Sequence, residues 1–127
     1  MPEIMPRDIR RTDVFRLSDD LVFRTYALTA DLPDSERFGL LPQTRRAAVS
    51  VPVNLVEGAE RESDKDFSRF LEIAGGSASE VRYLLSLSRR LGFTDPAATA
   101  LVEDGYDHVV RSLHKFRRGL RGRGGDR

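Results

Sequence analysis

Two histidines, His108 and His114, are the side chains best suited to moving a proton near neutral pH. They stand six residues apart in a stretch of helical periodicity, so they point to different sides of the helix. His108 shares a face with Asp104, and His114 with Arg111; neither pairing makes a metal site. A carboxylate-bridged di-metal bundle needs Glu-x-x-His on two helices, and the sequence has none. Walker lysine loops, GxGxxG turns and GxSxG elbows are also missing. There is no cysteine, which excludes disulfides, cysteine zinc sites and thiol catalysis and fits a reducing compartment. The expectation is a protein that is not an enzyme and uses no cofactor or metal.

What remains is recognition chemistry, in two groups of residues. The first is a polar set within residues 38–58, FGLLPQTRRAAVSVPVNLVEG: Gln43, Arg45, Arg46, Asn54 and Glu57. These residues could bind a ligand or RNA. They could equally form a network between helices, with Arg45 or Arg46 paired to Glu72 or Glu80, because polar groups between helices are costly unless hydrogen-bonded. Asn54 is expected inside, satisfying carbonyls freed by Pro52.

The second group is basic. Residues 111–127 hold seven basic side chains against one acidic, a balance of +6, while the rest of the chain holds 14 against 19, a balance of −5. Arg111, Lys115, Arg117, Arg118, Arg121 and Arg123 are candidates for sequence-independent contact with phosphates, and the alternative is a solubilising tail. Arg7, Arg10 and Arg11 at the other end could join them or simply be solvated.

The elements that would position these groups are helices. At 127 residues, with 39% hydrophobic and 32% charged side chains, the chain suits one soluble domain. No apolar run approaches the roughly 20 residues needed to span a bilayer, and residues 1–12 lack the apolar core of a signal peptide, so a cytoplasmic location without membrane contact is expected. Residues 1–12 read as a flexible arm. Asp13 is the expected N-cap of a first helix reaching about Asp31, with Val14, Leu17, Leu21, Leu28 and Leu32 inward. The second helix contains Pro52, which should kink it, and Gly58 as a C-cap candidate. Ser63 and Asp66 form a capping-box pair ahead of a third helix with a bundle-like seam from Phe67 to Leu91. Gly75 and Gly76 lie inside it, and close packing against the bend at Pro52 is the expected reason. Gly92 closes that helix; Asp95 and Pro96 open a fourth whose apolar face is Leu101, Val102, Gly105, Val109, Leu113, Phe116 and Leu120. Residues 119–127 read as a Gly/Arg-rich flexible tail. The fold class is all-α: an antiparallel up-down-up-down four-helix bundle over residues 13–118.

The stretch QTRRAAVSVPVNLVEG, preceded by ERFGL and followed by RFLEIAGGSASE, resembles the four-helix-bundle family labelled 23S rRNA intervening-sequence proteins, over about residues 14–116. That family is similar in turn to the accessory variability proteins of diversity-generating retroelements. The resemblance implies a homopentamer, and a basic surface that engages RNA or DNA together with a reverse transcriptase. Three readings follow: a non-catalytic nucleic-acid-binding protein, an oligomeric scaffold for a protein partner, and a bundle that binds a small molecule or metal.

Overall fold

The computed structural model describes residues 8–124, with side chains through residue 122. Within that span the chain forms four helices: α1 Asp13–Thr29, α2 Leu40–Ala59, α3 Asp64–Arg90 and α4 Pro96–Gly124. Two 3-10 turns, Ile9–Arg11 and Asp34–Glu36, precede α1 and α2. Helix α3 packs on α2 and α4, and α1 packs on the same two helices from the other side, so the four close a ring. Among the described residues there is no strand. The fold is an all-α four-helix bundle, and its short connections are compatible with antiparallel neighbours.

Local chemistry fixes most of the helix ends. Thr12, not Asp13, caps α1: its Oγ1 accepts from the Phe15 N–H at 3.2 Å. Its own O–H donates to the Ile9 carbonyl at 2.6 Å, tying the preceding turn to the helix. Ile9 is buried in the core, so the chain is already structured before residue 12, where an unstructured arm was expected. Ser63 Oγ accepts from Asp66 N–H at 3.0 Å, and Asp95 Oδ2 accepts from Ala98 N–H at 2.8 Å, as the cap spacing predicts. Gly92 takes φ +81°, the left-handed conformation that closes a helix. Around it the Gly92 N–H reaches Arg89 O at 3.0 Å and the Phe93 N–H reaches Ser88 O at 2.9 Å.

The core is built from Leu21 of α1, Val51 and Leu55 of α2, Phe67, Leu71, Val81 and Leu85 of α3, and Tyr106, Val109 and Leu113 of α4. Alanines at 47, 48, 74 and 78 let α2 and α3 approach closely. Helix α2 continues unbroken through Pro52, which is compatible with a bend there. Gly58 is not a C-cap. It sits inside α2 against α3, where a Cβ would lie 2.6 Å from Phe70 Cβ. Gly75 and Gly76, expected to be the close-packed pair, have open space instead: the nearest atom to a Cβ at Gly75 would be Leu113 Cδ1 at 4.0 Å, and at Gly76 there is nothing within 4 Å.

The inward face of α1 also differs from the periodic leucine stripe. Leu17 and Leu32 are only half-buried, whereas Ser18, Thr25 and Thr29 are fully inside. Ser18 and Thr29 donate to carbonyls one turn back, so their hydroxyls are satisfied within the helix. Thr44 of α2 is the contrast, because its buried Oγ1 has no hydrogen-bond partner among the described residues. Replacing a buried, unpaired hydroxyl by a methyl of the same shape removes a desolvation penalty of about 1–3 kcal/mol. Thr44→Val is therefore expected to raise the midpoint of urea unfolding; an unchanged or lower midpoint would show that the hydroxyl has a partner in solution.

The fourth helix runs past Gly119, where the tail was expected to begin, to Gly124. Leu120 lies one heptad beyond Leu113 and is buried in the same core. Within the described residues, the Gly/Arg segment is thus helical through Gly124 and extends the bundle.

Candidate nucleic-acid interface

Helix α4 is oriented by the residues it buries. Val102, Tyr106, Val109, Leu113 and Leu120 are inside. At about 100° per residue, Arg111, Lys115 and Arg118 then fall on the opposite side, with Arg121 toward one flank, and all four are exposed. His114 is exposed on the same side. The cations form a ridge about 15 Å long from Arg111 to Arg121, at about 1.5 Å per residue.

The members of the ridge differ in their commitments. Arg111 Nε bonds Asp107 Oδ2 at 3.1 Å, and the other oxygen of Asp107 receives Arg82 of α3 at 3.3 Å. Arg117 lies outside the ridge: it is half-buried against α3, with Nε donating to Ser68 Oγ at 3.3 Å and Nη2 3.6 Å from Glu72. Lys115, Arg118 and Arg121 make no hydrogen bond or ion pair with other described residues. Arg10 and Arg11 are exposed on the first turn, which packs on α1 and α2, and Arg11 lies 3.5 Å from Asp8. The side chain of Arg123, together with Arg7 and Arg127, lies outside the described residues.

The polar set of α2 does not form the expected pairing with α3. Arg45 turns the other way, to α1. Its Nε donates to Thr29 Oγ1 at 2.9 Å and its Nη2 to the Tyr26 carbonyl at 3.1 Å, with the guanidinium 4.4 Å from the centre of the Tyr26 ring. Glu72 pairs with Arg117, and Glu80 accepts a long 3.4 Å bond from Gln43. Asn54 is half-buried and donates to Ser50, at 2.8 Å to the carbonyl and 2.9 Å to Oγ. The carbonyl that loses its donor to Pro52 is that of Ala48, so Asn54 does not serve the one freed by the proline. Ser50 Oγ continues the chain to Ser77 of α3 at 2.8 Å. Arg46 and Glu57 are exposed, and neither side chain has a hydrogen bond or ion pair to the described residues. The polar set thus divides into two half-buried links, Arg45 to α1 and Asn54 through Ser50 to α3, an exposed Gln43–Glu80 contact, and exposed Arg46 and Glu57.

A groove of about 680 Å³ runs beside these links, lined by Tyr26, Leu41, Pro42, Arg45, Arg46, Val49, Ser50 and Val53. Phe23 of α1 is exposed as well, at 68%.

Tyr106, Asp107, Arg89 and Glu103 were not singled out from the sequence. Tyr106 is fully buried and shares a hydrogen bond with the Thr25 hydroxyl at 3.1 Å; burial pushes its phenol up to about 12. Its place one turn before Val109 and one turn after Val102 is the signal that could have found it. Asp107 joins α3 to α4 through Arg82. Arg89 and Glu103 form a two-pronged pair at 2.6 and 3.0 Å, and the bond to Glu103 raises the arginine above its already high ordinary value. Among the described residues no group of three His, Cys, Asp or Glu could hold a metal ion. Among them, too, no helix is long and apolar enough to cross a membrane.

Fold and surface together define a four-helix bundle with one cationic outer ridge. The chain belongs to the family of 23S rRNA-intervening sequence proteins, whose sequence pattern matches residues 10–115. Comparison with curated protein sequences finds no match.

Proposed function

We propose that this protein is a non-catalytic, homo-oligomeric bundle that binds RNA through the exposed face of α4. The observation that carries the reading is the ridge itself: Lys115, Arg118 and Arg121 point away from the core without partners among the described residues, on a chain that is otherwise acidic. Cations near a helix C-terminus also stabilise the helix dipole. That role, however, is confined to the last turn and does not extend to Arg111 and Lys115. The family description adds an RNA connection. The retroelement accessory proteins that the sequence resembles supply a partner for this role, a reverse transcriptase.

The test is fluorescence anisotropy with a structured RNA across a salt series, comparing the full chain with Lys115→Ala/Arg118→Ala. Both residues are exposed, so the double variant keeps the core, whereas a chain shortened at Arg118 would lose buried Leu120. Binding that weakens with salt and falls in the double variant supports the reading. No binding at low salt by the full chain would sink it.

A second reading, a scaffold for a protein partner, is favoured by the apolar groove between α1 and α2 with exposed Val49 and Val53. The groove also suits assembly of the protein with itself. Val53→Glu is expected to shift sedimentation from a multiple of 14.3 kDa toward the single chain. Unchanged sedimentation of the variant would place the contact elsewhere.

A further inference from the structure

We infer that the α4 ridge takes duplex nucleic acid by its phosphate backbone, in preference to a single strand. This inference rests on the proposed function and adds the form of nucleic acid that the surface fits.

Three observations lead to it. First, the ridge offers charge and little else: Arg111, Lys115, Arg118 and Arg121 are its outward groups, joined by His114. Proteins that hold single strands stack the bases on aromatic side chains beside the charged groove. Among the described residues no Phe, Tyr or Trp is exposed on this face, and the ring exposed along the ridge is the small imidazole of His114. Phe116, the aromatic of α4 closest to it, is half-buried and set edge-on to Phe67 at 5.6 Å between ring centres. Among the described residues the exposed aromatics Phe23 and Tyr26 lie on α1, Phe38 on the α1–α2 connection and Tyr83 on α3.

Second, the density of charge suits a duplex. A duplex carries one negative charge per about 1.7 Å of its axis, roughly twice the density of one strand, so a ridge of about 15 Å meets about nine of them. With α1 and α3 packed along its flanks, α4 presents one convex face. That shape lies across a backbone and reaches phosphates through long, flexible side chains.

Third, the ridge has a defined end. Asp107 and exposed Asp104 occupy the same side of α4 one and two turns before Arg111. Asp107 also holds Arg111 at 3.1 Å, so it competes with a phosphate for that guanidinium. The docking segment therefore runs from Arg111 to the C-terminal side, with Lys115, Arg118 and Arg121 as constant contacts and Arg111 as one that must exchange Asp107 for a phosphate.

The experiment measures binding of the full chain to four probes of equal length and unrelated sequence: duplex RNA, duplex DNA, single-stranded RNA and single-stranded DNA. With three to four phosphates contacted per engaged protomer, log K against log salt on a duplex is expected to slope at about −3, a loss of about 40- to 150-fold between 50 and 200 mM salt. Duplexes should bind several-fold more tightly than single strands, with little dependence on sequence. Arg118→Ala should flatten the slope by about 0.9 per engaged protomer. Asp107→Asn, which releases Arg111, should steepen it and tighten binding, while Arg46→Ala, an exposed cation on α2, should leave it unchanged. The inference is overturned if single strands bind as well as duplexes, an outcome that leaves the proposed function standing; an unchanged slope for Arg118→Ala would overturn it too, together with the α4 face as the site of RNA binding. Absence of binding to all four probes would overturn the proposed function as well.

Discussion

Gly58→Val is expected to cost about 3 kcal/mol or more, because it inserts a branched side chain where α2 and α3 already touch. A Cβ at Gly58 would lie 2.6 Å from Phe70 Cβ and 3.2 Å from Phe67 Cδ1. Phe70 Cβ is held directly by the backbone of α3, so relief requires one helix to move. Even Gly58→Ala should be destabilising: overpacking of about 1–3 kcal/mol outweighs the roughly 1 kcal/mol gained in helix propensity. The same alanine at Gly76 meets nothing within 4 Å and should stabilise by about 1 kcal/mol. Urea unfolding of the two alanine variants checks both signs at once. Stabilisation by both would show that α2 and α3 are packed less closely at Gly58 than 2.6 Å implies, and destabilisation by both would show that Gly76 has a neighbour.

Tyr106→Ala is expected to cost about 3–5 kcal/mol, the range for removing a fully buried aromatic ring. Tyr106→Phe separates the ring from its hydroxyl. It leaves the buried Thr25 oxygen without its partner and should cost about 1–2 kcal/mol. The phenol also links folding to pH. Its value is pushed from 10.0 to about 12 by burial, so the folded chain holds the proton more tightly than the unfolded chain does. The stability from this group is then fully present below pH 10 and is lost as pH rises toward 12, at up to about 1.4 kcal/mol per pH unit. Unfolding curves collected between pH 8 and 12 should fall off more steeply for the natural chain than for Tyr106→Phe. Parallel curves would mean that other groups govern the alkaline limb.

Sequence pattern carried furthest where the chemistry is local. Ser63, Asp95, Pro96 and Gly92 act on amides and carbonyls within one turn, so residue type and spacing suffice to place three helix ends. It carried less far where a neighbour decides. Gly58 reads equally well as a cap or as an interior contact until Phe70 is placed beside it. Ser18, Thr25 and Thr29 look like surface residues because the partners of their hydroxyls, backbone carbonyls for Ser18 and Thr29 and the Tyr106 phenol for Thr25, are invisible in composition. Leu120 was legible in step with Leu113, yet the glycines and arginines around it read as a flexible tail, so the helix was expected to end before it. At the site, Arg111, Lys115, Arg118 and Arg121 were all legible as cations. What could not be read was that Ser68 and Glu72 take Arg117 out of the set, since both come from another helix.

Arg45 has a consequence for how the bundle opens. Helix α1 has no basic residue in its last turn, so it lacks the cation that usually steadies a helix C-terminus. Arg45, reaching from α2 to Tyr26 and Thr29, supplies one from outside. The end of α1 is thus completed by a residue that follows it in the chain by a whole connection. In the language of local unfolding, the last turn of α1 and the first turns of α2 belong to one cooperative unit, while the connection between them can fluctuate without separating the two helices.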